Sequence, residues 1–195
     1  MLANIPSSQT AIVGLPGGAL GISQDVPLPE LEDDMIMVKN VAVALNPVDT
    51  KMTGHLACPG AISGTDFAGT VVAIGSNVQT PTPVAIGDRI CGAVQGMHCL
   101  TPRVGAFAQY VGATGFVMMK IPEEMSFEEG ATLGSGIGTI GLALFRSLDV
   151  PGYPLKPAVK PREVLVYGGS TSTGTLAIQL LKLYARRIDG KRSED

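Results

Sequence analysis

Short apolar runs separated by glycine and proline dominate the first two-thirds of the chain. Residues 35–45 (MIMVKNVAVAL) and 66–75 (DFAGTVVAIG) are rich in β-branched and apolar residues, and each predicts a strand. Residues 88–94 and 106–111 are shorter candidates. Because Gly and Pro cut the sequence into such short pieces, strands joined by turns are expected rather than long helices. The pattern predicts a β-rich first domain.

The pattern changes near Ser126 from strands to helices. Ser126 and Glu129 have the spacing of a capping box, which predicts a helix that begins there. An amphipathic segment follows as far as Leu144, although the glycines within it are poor helix formers. Close packing, against the protein or against a flat cofactor, would explain such glycines.

The last part of the chain has the pattern of a nucleotide-binding unit. Residues 149–160 carry several prolines and predict a linker or surface loop. Residues 163–167 (EVLVY) predict a short buried parallel strand, and residues 175–184 predict an amphipathic helix. Residues 168–174 form a turn rich in Gly, Ser and Thr between them. Strand, turn and helix in this order are typical of the start of a βαβ unit.

Composition and charge restrict the possible functions. A formal net charge of -3 argues against nucleic acid as a main partner. No apolar run reaches the roughly 18 residues of a membrane span and no basic signal region opens the chain, so a soluble, cytoplasmic protein is expected. Cys58, Cys91 and Cys99 are few and irregularly spaced, so no disulfide framework is expected. With His55 and His98 they do not make four ligands at zinc spacing, and no metal site is expected.

Two polar segments are candidates for chemistry. Residues 168–174 leave backbone amides open at a helix N-terminus, where a dinucleotide pyrophosphate can bind. Residues 46–52 follow directly on a strand, and Lys51 could stabilise a developing enolate or help to deliver a proton. Each signal is weak alone, because glycine-rich turns are often structural and most lysines lie on the surface.

Several motifs occur in an order that resembles the GroES-like catalytic domain of medium-chain dehydrogenases and reductases. They are residues 64–75, 87–90 and 105–111. The run Asn46-Pro47-Val48-Asp49 resembles the quinone-oxidoreductase branch. Zinc alcohol dehydrogenases have a metal-binding Cys at that position, and a Gly-His-Glu motif where this chain has Gly64-Thr65-Asp66. Both zinc signatures are therefore absent.

Two motifs narrow the resemblance further. Residues 46–52 combined with residues 166–171 are similar to the fungal trans-acting enoyl reductases, which serve iterative polyketide synthases. The resemblance covers about residues 11–183. It implies a monomer that uses NADPH to reduce an enoyl intermediate bound as a thioester to an acyl carrier protein. A quinone-oxidoreductase-like enone reductase and an inactive, partner-binding GroES-like module remain alternatives.

The resemblance also implies site residues. Lys51 and Thr139 would lie at the reacting centre. The cofactor would contact Val48, Asp49, Thr50, Lys51, Gly169, Ser170, Thr171 and Ser172. The substrate channel would be lined by Thr139, Ile140, Gly141, Leu142, Ala143, Leu144, Phe145 and Arg146.

The implied fold class is α/β (α+β overall), with a β-rich GroES-like domain followed by the first βα unit of an incomplete Rossmann domain. The expected boundaries are 1–150 for the GroES-like domain with a Gly-rich helix at its end, 151–162 for a Pro-rich linker, and 163–195 for the start of the NADP-binding domain. From about residue 185 the sequence no longer resembles the family. A carboxy-terminal truncation and weak or absent NADPH binding are therefore expected.

Overall fold

The computed structural model describes residues 5–152 and 163–188, and for residues 116 and 184–188 it describes only the backbone. The chain divides into two compact units, Met1–Ser135 and Gly136–Asp195. This division falls inside the glycine-rich helical segment, earlier than the domain boundary expected at residue 150, which stays a prediction. Within the described ranges, no helix combines the length and the apolar character that crossing a bilayer requires.

A five-stranded antiparallel sheet forms the centre of the first unit. The strands are β1 (Ser8–Gly14), β2 (Leu20–Pro27), β3 (Met35–Ala44), β4 (Asp66–Ile74), β5 (Arg89–Ala93), β6 (Tyr110–Thr114) and β7 (Met118–Lys120). Their order across the sheet is β6-β3-β4-β5-β7, while β1 and β2 pair with each other. The predicted strands at 35–45, 66–75 and 88–94 are confirmed. The strand predicted at 106–111 begins later, at Tyr110, because residues 106–109 enter only isolated bridges and loop hydrogen bonds.

Both faces of the central strand β4 are buried. On one face Phe67 packs with Ile36 from β3, and both side chains are 0% exposed. On the other face Ala68 packs with Cys91 from β5 and with Ala131. Neighbouring residues of a strand point to opposite faces, so a strand covered on both sides has an almost continuous apolar sequence.

The described residues form four α-helices, and two of them are separated by only two residues. The helices are α1 (Pro47–Lys51), α2 (Phe127–Ala131), α3 (Gly134–Gly141) and α4 (Ser172–Ile188), and a π-helical segment (Leu142–Ser147) continues α3. The predicted capping box is confirmed, because Ser126 Oγ accepts from the Glu129 amide at 3.1 Å and Glu129 Oε2 accepts from the Ser126 amide at 2.8 Å. The predicted amphipathic segment is divided at Thr132 and Leu133 into α2 and α3.

A small helical core forms the second unit. Ile140 from α3, Leu144 from the π-helical segment and Ala177 from α4 are buried together. A Cβ atom on Gly136 would lie 2.6 Å from Leu176 Cδ1. The glycine therefore allows α3 and α4 to approach closely, as the sequence pattern predicted.

The predicted parallel strand at residues 163–167 is wrong, because these residues belong to no strand. Leu165 is 93% exposed and Tyr167 is 99% exposed. A parallel strand is stable when neighbouring strands pair with it and helices cover both faces. The part of the second unit that the structure describes offers no strand for pairing. Of the predicted proline-rich linker at 151–162, residues 153–162 lie outside the described residues.

Two cysteines form a disulfide, contrary to the expectation from their spacing. Cys58 and Cys99 are joined, and their Cα atoms are 5.6 Å apart. The bond connects the segment after a 3₁₀ turn (Gly54–Leu56) with the loop after β5. The two residues are 41 positions apart, so only the folded chain brings them together. Cys91 is buried and free.

Candidate active site

Helix α1 presents Lys51 at the end of strand β3. Pro47 occupies its first helical position, where a proline costs no hydrogen bond and its ring favours the helical φ. Lys51 lies in the last turn and is exposed. Asp49, in contrast, is only 5% exposed. Pro47, Val48 and Thr50 are the other exposed residues of this helix.

The Asp49 carboxylate fixes the beginning of α1. Its Oδ2 atom accepts a hydrogen bond from the Asn46 amide at 2.7 Å, and its Oδ1 atom accepts one from Thr65 Oγ1 at 3.3 Å. Burial raises the pKa of Asp49, and the charge of Asp66 acts in the same direction, while these hydrogen bonds lower the pKa. The buried carboxylate therefore stabilises the fold of α1.

Asp66 connects α1 with the first residues of α3. This carboxylate is 1% exposed and accepts three hydrogen bonds. Asn46 Nδ2 donates to Oδ2 at 2.9 Å, and Ser135 donates through its amide to Oδ1 and through Oγ to Oδ2, both at 2.7 Å. A Cβ atom on Gly134 would lie 2.6 Å from Asp66 Oδ1, so glycine is required there. Asn46, Asp49, Thr65, Asp66 and Ser135 are called the Asp66 network below.

By the resemblance given above, members of the Asp66 network lie in the two motifs, residues 46–49 and 64–66, that replace the zinc signatures of zinc alcohol dehydrogenases. Here Asn46 Nδ2 points at oxygen atoms, donating to Thr65 Oγ1 at 3.0 Å as well as to Asp66. An amide NH₂ group is a donor and cannot ligate a cation. Among the described residues, no group of three or more His, Cys, Asp or Glu side chains could hold a metal ion. These residues therefore do not fit a zinc site.

The glycine-rich turn of the second unit is organised by Thr171. Its hydroxyl donates to the Gly168 carbonyl at 2.8 Å and accepts from the Gly174 amide at 3.1 Å. Gly168 has a φ of 80°, and a Cβ atom on Gly174 would collide with the Gly168 carbonyl oxygen. Among the hydrogen bonds of the described residues, none takes up the amides of Ser172 and Thr173 at the start of α4. These amides and the positive end of the helix dipole fit an anionic pyrophosphate.

The residues of the turn that were predicted to bind the cofactor differ in their contacts. The Thr171 hydroxyl is engaged inside the turn, so it is not free to bind a phosphate. The Gly169 carbonyl accepts from Thr175 Oγ1 at 3.2 Å. Ser170 and Ser172 are exposed, and they retain hydroxyl groups that a ligand could reach.

The predicted substrate-channel segment, residues 139–146, has an inner and an outer side. Ile140 and Leu144 are 8% and 4% exposed and belong to the core of the second unit. Thr139, Leu142 and Arg146 are exposed. Only the outer side chains are accessible to a substrate, and the inner ones stabilise the helices.

The predicted site residues form two groups, one in each unit. Residues 48–51 share α1 in the first unit, while residues 139–146 and 169–172 belong to the second. Sequence reasoning missed the structural roles of Asp66 and Ser135. One signal was present, because Asp66 is a charged residue at the start of an apolar run that reads as a buried strand.

Relatives of known class are similar to this chain over most of its length. Residues 32–123 match the alcohol dehydrogenase GroES-like domain. A trans-enoyl reductase from Gibberella zeae is 65% identical over 182 residues, which are 93% of this chain and 51% of that protein. A trans-enoyl reductase from Aspergillus niger is 52% identical over 190 residues, again covering 94% of this chain and 51% of that protein. The chain spans about half the length of the curated relatives it matches.

Solved structures share the fold. The quinone oxidoreductase from Coxiella burnetii has a TM-score of 0.66 at 27% identity, over 91% of this chain and 54% of that one. The Escherichia coli quinone oxidoreductase, solved in complex with NADPH, has a TM-score of 0.63 at 23% identity, over 90% of this chain and 50% of that one. The predicted fold class and family resemblance are confirmed. Over more than nine-tenths of its length the chain is therefore similar to fungal trans-enoyl reductases, and it contains the GroES-like domain of the alcohol dehydrogenases.

Proposed function

We propose that this chain is part of an enoyl reductase of polyketide biosynthesis, which transfers a hydride from NADPH to the β-carbon of an α,β-unsaturated acyl thioester. The observation that carries the proposal is the 65% identity to a trans-enoyl reductase over 93% of the chain. The geometry of α1 supports it, since an exposed lysine stands on a helix that two buried carboxylates hold in place.

Lys51 is the proposed electrophilic group of the first unit. Hydride addition leaves negative charge on the thioester oxygen, and the α-carbon then takes up a proton. An ammonium group beside that oxygen would stabilise the charge and could supply the proton. A lysine side chain is long and flexible, so its effect depends on a fixed backbone. The Asp49 carboxylate provides this fixation through the Asn46 amide, which makes Asp49 a positioning residue in the proposal.

The second unit would hold the cofactor, which supplies the hydride when it is bound. The amides of Ser172 and Thr173 would face the pyrophosphate, with Gly169 giving room and Ser170 adding a hydroxyl donor. Thr139, exposed on α3, would face the nicotinamide and the acyl chain. Val48, Thr50 and Lys51, all exposed on α1, remain the proposed cofactor contacts from the first unit. Asp49 was predicted as a fourth contact, but its side chain is buried and both carboxylate oxygens accept hydrogen bonds within the protein.

The proposed partner is an acyl carrier protein of a polyketide synthase, loaded with the enoyl intermediate, and the proposed state is a monomer. This partner is implied by the resemblance to the fungal trans-acting enoyl reductases, which are stand-alone proteins that serve polyketide synthases. With a net charge of -3, the chain has no overall attraction to nucleic acid, so no nucleic-acid partner is proposed.

A direct assay tests the proposal. The purified chain is mixed with NADPH and crotonyl-loaded carrier protein, and loss of the nicotinamide absorbance is recorded. Lys51→Met should lower kcat by about 100-fold, the usual range for an acid–base or charge-stabilising group. Lys39→Met, which removes another exposed lysine, should leave the rate unchanged. Absence of NADPH oxidation, or equal rates for Lys51→Met and the unaltered chain, contradicts the proposal.

A quinone-oxidoreductase-like activity is the second candidate, supported by the structural likeness to the Coxiella burnetii enzyme at 27% identity. It predicts faster reduction of free quinones and small enones than of the carrier-bound thioester. The same assay with both kinds of substrate separates the two enzymes.

An inactive GroES-like module is favoured by one observation, the absence of a strand at residues 163–167. It agrees with the weak or absent NADPH binding that the sequence predicts, whereas both reductase proposals require NADPH to bind. Titration with NADPH, followed by nicotinamide fluorescence, decides this point. Low-micromolar binding contradicts the inactive module, and no binding contradicts the two reductase proposals for this chain.

A further inference from the structure

A cavity of about 730 Å³ lies in the first unit, within the range of about 300–1,000 Å³ that small-molecule sites occupy. The connection between β2 and β3, the loop after β5 and the end of β6 form its walls. None of the residues implied for the site by the family resemblance lines it.

The walls of this cavity are largely aliphatic. Met35, Val94 and Val104 line it, together with Leu100 and Val117, which are 86% and 45% exposed. One exposed leucine is ordinary on a protein surface, but here two large exposed aliphatic side chains border the same cavity. None of its described lining residues is aromatic, so the cavity offers no ring for stacking against a planar quinone.

The charges at the cavity disfavour an anionic ligand. Arg103 Nη1 and Glu30 Oε1 form an ion pair at 2.8 Å, which uses the arginine that lines the cavity. Glu32 also lines it and adds a carboxylate. A free fatty acid would bring a further negative charge to this site, whereas a neutral ester or thioester would not.

Thr65 connects the cavity with the residues that hold α1. It lines the cavity, and its hydroxyl accepts from Asn46 Nδ2 at 3.0 Å and donates to Asp49 Oδ1 at 3.3 Å. The cavity therefore reaches the Asp66 network, which fixes the helix that carries Lys51.

We propose that this cavity binds the aliphatic chain of a neutral acyl thioester. The identification of the ligand as a thioester rests on the proposed function. The aliphatic walls favour the chain, and the surplus carboxylate weakens the binding of free acids. Thr65 belongs to the wall that adjoins α1. Specificity for chain length would then reside in the first unit.

Calorimetric titration of the protein with saturated acyl N-acetylcysteamine thioesters tests the inference, because these probes cannot be reduced and need no NADPH. Each methylene that enters the cavity should strengthen binding about fourfold from butyryl towards decanoyl, until the cavity is filled. Sodium decanoate should bind about tenfold more weakly than the decanoyl thioester, because it adds a charge beside Glu32. An affinity that does not depend on chain length overturns the inference.

A matched pair of variants locates the binding. Leu100→Glu removes an exposed aliphatic wall residue and adds a carboxylate, so it should weaken decanoyl thioester binding about tenfold. Ile22→Glu makes the same kind of change at a side chain that is 77% exposed and does not line this cavity, and it should have no effect. Equal losses in the two variants overturn the inference.

The two proposals can fail separately. Chain-length-dependent binding without any NADPH oxidation would support the cavity and contradict the enoyl reductase. Reduction of crotonyl thioester without chain-length dependence, and without an effect of Leu100→Glu, would support the enoyl reductase and contradict the cavity.

Discussion

The two units hold their candidate functional groups in different ways. In the first unit α1 is fixed by side chains distant in sequence, since Asp66 binds both Asn46 and Ser135. In the second unit the turn before α4 is fixed by its own residues, chiefly Thr171. The turn therefore forms although residues 163–167 belong to no strand, whereas the Asp66 network exists only when the sheet has formed.

This difference predicts that stability is concentrated in the first unit. Its sheet buries apolar side chains on both faces of β4, and hydrophobic burial is the main contribution to folding. The second unit has a small core and exposes Leu165 and Tyr167 almost completely. Regions with few buried apolar contacts open at lower free energy.

The largest expected effect comes from exchanging one apolar side chain in each unit. Phe67→Ala should lower the free energy of unfolding by about 3–5 kcal/mol, because Phe67 is 0% exposed and leaves a cavity. Leu165→Ala, at a side chain that is 93% exposed, should change it by no more than about 0.5 kcal/mol. Urea unfolding followed by circular dichroism measures both. A comparable loss for the two variants would remove the contrast between the units.

The disulfide is the second test, since it adds a covalent restraint to the first unit. Cys99→Ser should lower the free energy of unfolding by about 2–4 kcal/mol, because the Cys58–Cys99 bond restricts the unfolded chain across 41 positions. The same titration with a thiol reductant is the control, and there the variant and the unaltered protein should unfold at nearly the same urea concentration. A difference that persists under reduction would mean that Cys99 acts through packing.

A smaller effect is expected from Asp66, the residue that unites the network. Asp66→Asn should cost about 1–3 kcal/mol, because an amide cannot accept all three hydrogen bonds and turns its own NH₂ group towards a donor. Asp34→Asn, at an exposed aspartate, is the matched control and should be neutral.

The same substitution has a readout that general destabilisation would not give. Burial raises the pKa of the Cys91 thiol to about 11, and the charge of Asp66 contributes in the same direction. Asp66→Asn should therefore lower the pKa of Cys91, as measured by carbon NMR of its Cβ atom. An unchanged pKa would show that the two groups do not interact.

The sequence predicted those parts of the fold that depend on neighbouring residues. The apolar runs in β3 and β4, and the Ser126–Glu129 capping box, carry their information within a few positions. The turn before α4 is equally local. These features were confirmed because a short segment determines them.

The parts that could not be predicted depend on residues far apart in the chain. Asp66 and Ser135 are 69 positions apart, and Cys58 and Cys99 are 41 apart. No spacing rule joins such residues before the topology is known. The predicted strand at residues 163–167 failed for the same reason, since an apolar run becomes a parallel strand only beside another strand. The predicted roles of Lys51 and Thr139 remain predictions.

The smallest expected effect is a pH dependence that contrasts two aspartates of the first unit. Burial raises the pKa of Asp49, so as pH rises the unfolded chain releases this proton before the folded protein does. Stability contributed by Asp49 should therefore fall as pH rises from its unfolded pKa through its higher folded pKa. The hydrogen bond from Lys120 lowers the pKa of Asp88, so its contribution has the opposite sign and is lost as pH falls through the folded pKa.

Urea unfolding at a series of pH values measures both effects as differences from Asn variants. Relative to Asp49→Asn, the unaltered protein should lose stability as pH rises through the acidic range, because the variant carries no charge to bury. Relative to Asp88→Asn it should gain stability over the same range, although an exposed ion pair contributes little. If both differences rise with pH, the hydrogen bonds from Asn46 and Thr65 outweigh the burial of Asp49. The ionised form of Asp49 would then stabilise the start of α1, and burying its charge would not lower the net stability.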